Sequence, residues 1–388
     1  MSKTLLIIVG LICSVLTAAG CSSTKSEYPA EALALAKQGH ILYESKAYEE
    51  TIIKYTKAID IKPDFAQAYF CRGLAKKDKG DLNGAFQDYN KAIELKPDYA
   101  EPYGNRGIIK GEWHDLDGAI QDYTKAIELR PNYYKAYHNL GIDKSEKGDY
   151  AGAIQDFNKA LELWPNFAKA YSGRGSARTK NKDLDGAIRD YDRAIELEPN
   201  YADAYYNRGI TRTEKKDLDG AIRDYDKSIE LKPDYARAYN NRGILKDRKL
   251  DYDGAIADYT KAIEISPFAE AYCNRGIAKG KKGDNAGAIP DFNQAIELWP
   301  GYANAYKDRG TVRDLTGDYA GALQDYAKAL KIDPKFADAY FNRGVAEYSH
   351  RDYDAAIADW EQTIKLDSSY EEKLKEFIEK AKKDKENK

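Results

Sequence analysis

One set of residues returns every 34 positions through almost the whole chain. Tyr103, Asn105, Arg106, Gly107, Asp115, Ala119, Tyr123, Ala126 and Pro131 reappear as Tyr205, Asn207, Arg208, Gly209, Asp217, Ala221, Tyr225 and Pro233, with Ser228 in place of the second alanine. A fixed period of this length specifies a stack of similar supersecondary units, none of which can bury its apolar face alone. Stacking adds core unit by unit, so 388 residues read as one elongated array instead of two or three globular domains.

Ten repeats follow, at 32–65, 66–99, 100–133, 134–167, 168–201, 202–235, 236–268, 269–302, 303–336 and 337–370. In the second half of each, apolar residues fall at helical spacing, as in Leu116, Ala119, Ile120, Tyr123, Ala126 and Ile127. From the second repeat on, an aspartate at position 16, such as Asp81 or Asp115, marks the helix start as an N-cap. A second helix fills the first half, and the short turn between makes the two antiparallel. Gly107 then lies beside Tyr123 and Tyr103 beside Ala126, a large residue facing a small one, as close helix packing requires. Arginine at position 7 and an acid at position 23 meet at one level and predict a ladder of ion pairs such as Arg106 with Asp122. The basic residues at position 11, Lys110 among them, are expected to lay their stems over alanine and keep their charge in water.

This pattern resembles the tetratricopeptide repeat over residues 32–370, with positions 8, 20, 24, 27 and 32 matching almost throughout. Tyr replaces the family's usual Trp at position 4, Arg replaces Leu at 7, and Lys or Arg replaces Tyr at 11. The resemblance implies an all-α fold, a right-handed α-solenoid of about ten helix-turn-helix repeats with a groove along the first helices. Leu374, Phe377, Ile378 and Ala381 form one apolar stripe in the charged segment 371–388, expected to be a capping helix with a charged tail. Repeat 7 lacks one residue at Pro267-Phe268-Ala269, and Pro290 falls inside a helix, so a bend is expected around residues 265–292.

At the other end, Lys3, an apolar run from Leu5 to Leu16 and the small residues Ala18, Ala19 and Gly20 lay out a secretory signal. Ala18-Ala19-Gly20-Cys21 resembles the lipobox of bacterial lipoproteins, which implies removal of residues 1–20 and acylation of Cys21, with residues 21–31 as a tether. Ala18 stands where that motif usually has Leu. Ordinary cleavage with a free Cys21 is the alternative. Ser22 resembles the pattern that sorts such proteins to an outer membrane, facing the periplasm, in cells that have one.

Composition removes several function classes. With 61 basic and 64 acidic residues the net charge is −3, so no field draws the chain to nucleic acid. Most of the 32 tyrosines occupy three repeat positions and read as structural. The histidines His40, His114, His138 and His350 are scattered, leaving no metal site, and no nucleophile set or phosphate loop interrupts the repeat. No catalytic residue, cofactor or metal is expected. What repeats without a packing reason is asparagine at position 6: Asn105, Asn139, Asn207, Asn241, Asn274 and Asn342. A carboxamide donates and accepts, and so suits a peptide backbone. The row is similar to the asparagine ladder of protein O-linked N-acetylglucosamine transferases, which implies peptide binding along the groove. The alternative is that these amides bridge neighbouring helices. Phe70, His138, Tyr206 and Phe341 at position 5 add varied aromatics beside them. The expected function is a non-enzymatic scaffold, lipid-anchored in the cell envelope, binding a segment of an envelope protein. A regulatory arm of an envelope enzyme, or a sugar- or peptidoglycan-binding lipoprotein, is the alternative.

Overall fold

The computed structural model describes residues 28–387, so the leader and Cys21 lie outside the described residues. The described residues divide into two compact units, the first ending at Asp190 and the second beginning at Tyr191. The first unit holds α1 (Ala30–Glu44), α2 (Tyr48–Ile61), α3 (Ala66–Lys79), α4 (Leu82–Leu95), α5 (Ala100–Glu112), α6 (Leu116–Leu129), α7 (Tyr134–Glu146), α8 (Tyr150–Leu163) and α9 (Ala168–Lys180). The division falls within α10 (Leu184–Leu197). The second unit continues with α11 (Ala202–Glu214), α12 (Leu218–Leu231), α13 (Ala236–Arg248), α14 (Tyr252–Ile265), α15 (Ala269–Lys282) and α16 (Asn285–Leu298). It ends with α17 (Ala303–Leu315), α18 (Tyr319–Ile332), α19 (Ala337–Ser349), α20 (Tyr353–Leu366) and α21 (Glu371–Glu386). Among the described residues there is no strand.

Each helix pair is locked by the small-against-large alternation. A Cβ on Gly107 would stand 2.7 Å from the Tyr123 ring, and one on Gly73 would stand 2.6 Å from Tyr89. Only glycine admits the ring there, and Tyr123 and Tyr89 are buried as a result. The N-cap aspartates do what their position demands: Asp115 Oδ1 accepts from the Gly118 amide at 3.0 Å, and Asp217 from Gly220 at 2.9 Å. The turn before each cap needs a left-handed residue. Gly80, Gly148, Gly283 and Gly317 supply it, while His114, Lys216 and Leu250 adopt positive φ with a side chain in place. Leu250 is 71% exposed and so has no packing to lose. Leu250→Gly is therefore expected to stabilise the second unit by about 0.5 kcal/mol, read as a rise in melting temperature.

The expected ion-pair ladder is present and larger than a row of pairs. The Arg106 fork grips Asp122 with Nε to Oδ2 at 2.8 Å and Nη2 to Oδ1 at 2.6 Å. Its remaining nitrogen donates to Asn90 of the preceding repeat at 2.7 Å, and the guanidinium lies over the Tyr103 ring at 5.4 Å. Lys110 Nζ reaches Asp122 Oδ2 at 2.9 Å and the Gly118 carbonyl at 3.3 Å. Position 11 thus does not leave its charge in water, because the second lone pair of a buried carboxylate is a better partner at that level. Arg242, Lys246 and Asp258 repeat the arrangement in the second unit.

The irregular seventh and eighth repeats keep their helices. Pro290 lies inside α16, which runs from Asn285 to Leu298. The missing residue of repeat 7 is absorbed in the loop, where Phe268 is extended at φ −148°, ψ 152°, against φ −89°, ψ 77° for the equivalent Tyr235. Past repeat 10, Leu374, Ile378 and Ala381 of α21 pack in one core cluster with Trp360, closing the stack.

Candidate functional site

In the first unit the second helices spend their apolar stripe on stacking: Ala119, Tyr123 and Ala126 are almost wholly buried. The first helices α1, α3, α5 and α7 keep a second face, and between them lies a groove of about 1150 Å³. Its apolar surface comes from Phe70, Leu74, Ile108, Tyr99 and Tyr133, and Asn105 and Asn139 stand in the same wall. Leu74 and Ile108 occupy position 9, and Tyr99 and Tyr133 the last position of a repeat; neither row was singled out from sequence as groove-lining. The signal was an apolar residue recurring at position 9.

The asparagines do not share one environment. Asn105 Nδ2 donates to the Glu101 carbonyl one turn back at 3.0 Å. Asn139 Oδ1 lies 3.1 Å from His138 Nδ1, and the Asn139 amide nitrogen has no partner among the described residues. In the second unit the amides reach back to the preceding repeat. Asn241 Nδ2 donates to the Tyr206 hydroxyl at 3.2 Å, Asn274 Nδ2 to Asn240 Oδ1 at 3.0 Å, and Asn342 Nδ2 to Thr311 Oγ1 at 3.2 Å. The difference follows from what precedes. Before Asn139, positions 5 and 9 of repeat 3 hold Gly104 and Ile108; before Asn105 they hold Phe70 and Leu74. None of these offers a side-chain hydrogen bond, so neither amide reaches back to the preceding repeat. Asn207 is half-buried and its carbonyl accepts from Thr211 at 3.0 Å.

The position 5 aromatics pack inward. Phe70 lies 5.8 Å from Tyr89 and 5.2 Å from Tyr99, and His138 lies 5.7 Å from Phe157 and 4.8 Å from Phe167. Tyr206 packs on Tyr225 and Tyr235, and Phe341 on Tyr370. Burial pushes the His138 imidazole below its ordinary range, which keeps it neutral near pH 7. Of this row only Phe70 reaches the groove.

Chemistry beyond binding finds little to use. Cys71, at the groove, is buried and its thiol is pushed up to about 11 by desolvation, the opposite of an activated nucleophile. Among the described residues no cluster of three His, Cys, Asp or Glu side chains is placed to hold a metal, and no helix is long and apolar enough to cross a membrane.

Family models match along most of the length. One described as TPR repeat covers residues 39–80, 73–112, 175–212 and 315–351; two described as tetratricopeptide repeat cover 134–167, 202–235 and 236–268, and 100–133 and 269–301. The chain belongs to the tetratricopeptide repeat family. No curated protein matches it. Among solved structures, a tetratricopeptide repeat protein from Parabacteroides merdae is 22% identical with a TM-score of 0.51, covering 63% of this chain and 97% of that one. That likeness shows the fold. Yeast Tom70 is 21% identical over 92% of this chain and 96% of its own, with a TM-score of 0.46. MamA is 34% identical over 41% of this chain and 93% of its own, with a TM-score of 0.38. As a tetratricopeptide repeat protein the chain reads as an interaction scaffold.

Proposed function

We propose that this protein is a non-enzymatic scaffold, anchored by lipid at Cys21, that holds an extended segment of a cell-envelope protein in the groove of its first unit. The observation that carries the groove reading is the contrast between the asparagines. Asn105 and Asn139 line an apolar groove and bond only within their own helices, to the Glu101 carbonyl and to His138, whereas Asn241, Asn274 and Asn342 donate from their amide nitrogens to the preceding repeat. Packed helices stand on the order of 10 Å apart, and an extended chain rises about 3.3 Å per residue. One repeat therefore matches about three residues of ligand, and amides one repeat apart can pair with backbone groups of a strand without reading its side chains. The apolar rows at Leu74 and Ile108 supply the desolvated floor that gives such hydrogen bonds their worth. The lipid anchor, and an outer-membrane location facing the periplasm in cells that have that membrane, rest on Ala18-Ala19-Gly20-Cys21 and Ser22.

Each half has its own test. Replacing both Asn105 and Asn139 by alanine removes two backbone-directed amides at about 1 kcal/mol each, so affinity for the captured partner should fall tenfold or more. Asn241→Ala with Asn274→Ala should leave it within about twofold. Equal losses in both pairs would sink the groove reading. For the anchor, Cys21→Ala should abolish fatty-acid labelling and release the protein from membranes; unchanged labelling would refute it.

A further inference from the structure

The groove of the first unit is not electrically neutral, and its charges are unequally spent. Arg130 is held by Glu101 at 2.8 Å, Lys77 has Asp78 at 3.8 Å, and Lys96 lies over the Tyr99 ring at 5.6 Å. Asp78 itself accepts from the Tyr43 hydroxyl at 2.5 Å, so this acid is divided between two donors. Lys135, at the start of α7, is exposed at the groove and has no carboxylate partner among the described residues. We infer that the segment bound in this groove carries an acidic side chain among apolar ones, its carboxylate against Lys135 and its apolar neighbours on Leu74 and Ile108. The inference rests on the groove-binding reading above and narrows it.

Two features set this carboxylate site apart from an ordinary solvated lysine. Partial desolvation, with Lys77 and Arg130 nearby, holds the Lys135 ammonium below its usual range, so like charges repel there and an added anion relieves them. The site also adjoins an apolar wall, where a carboxylate is screened less than in bulk water. An internal acidic side chain is chosen over a chain terminus, because Leu163 and Trp164 line the groove as well as Lys135. Charge complementarity of this kind selects among partners more than it raises total affinity.

The probes are three fluorescein-labelled nonapeptides, acetylated and amidated, of Ser, Leu and Phe with a central Asp, Asn or Lys. Fluorescence anisotropy with the full chain should show the Asp peptide bound about tenfold tighter than the Lys peptide, with the gap narrowing as salt rises. Lys135→Glu, an exposed change that should leave the circular dichroism spectrum intact, should reverse the order. An order unchanged by Lys135→Glu overturns the proposal. Equal binding of all three peptides, weakened by Ile108→Glu, overturns the acidic preference and leaves the groove reading standing. Binding that ignores Ile108→Glu, or no binding by any peptide, overturns both.

Discussion

Asp122→Ala should lower the stability of the first unit by about 3 kcal/mol, the scale on which buried charged clusters fail when one member is lost. Asp122 is 4% exposed and is the single acid that both Arg106 and Lys110 grip. Without it two partly buried cations face each other and Asn90 loses its reason to hold the Arg106 fork. A double-mutant cycle between Arg106 and Asp122 should give a coupling above about 1 kcal/mol. The exposed pair Lys125 with Glu128, at 2.9 Å, should give no more than about 0.5 kcal/mol despite its similar distance. Because stability in a stack is a sum of units and their interfaces, the loss should appear as a broadened or split denaturant transition, with amide exchange fastest in α5 and α6. Equal coupling in the two cycles would show that burial does not govern the ladder.

Glu347→Lys should stabilise the second unit at pH 8 by about 2 kcal/mol and flatten its stability profile below that pH. Glu347 occupies position 11 of repeat 10, where most repeats have a base, and stands 3.7 Å from the Arg343 fork that already binds Asp359 at 2.6 Å. Burial, then the Asp359 carboxylate, raise its acid to about 7 from 4.5. The folded state therefore keeps a proton that the unfolded chain has released. The stability this contributes is fully present below about pH 4.5 and is lost as pH rises through about 7. Lysine there would restore the second cation on the position 23 acid. Thermal melts of wild type, Glu347→Gln and Glu347→Lys from pH 4.5 to 8.5 measure it; a wild-type stability that rises over that window would reverse the sign and refute the assignment.

Much of this was legible from sequence because each repeat tests the same inference again. Asp115 as a cap, Gly107 under Tyr123 and Arg106 beside Asp122 each follow from one helix pair and its turn. What escaped depends on contacts from one repeat to the next. Arg106 reaching Asn90 is such a contact, while Lys110 joining the Asp122 carboxylate within its own repeat requires knowing which lone pairs remain open. The asparagines show this most clearly. Asn139 and Asn274 hold the same position, yet only Asn274 follows a polar residue, Asn240, able to engage it. The relevant signal lay at positions 5 and 9 of the preceding repeat, where Gly104 and Ile108 contrast with Asn240 and Thr311. The varied aromatics at position 5 each meet a ring of their own repeat, Phe70 that of Tyr99 and Tyr206 that of Tyr235.

Amide hydrogen exchange of the full chain with and without its captured partner tests the central claim most directly. Protection should concentrate in the first helices α3, α5 and α7, around Leu74, Asn105, Ile108 and Asn139, with α11, α13 and α15 little changed. Protection centred on the second helices, or on Asn241 and Asn274 in place of Asn105 and Asn139, would contradict it.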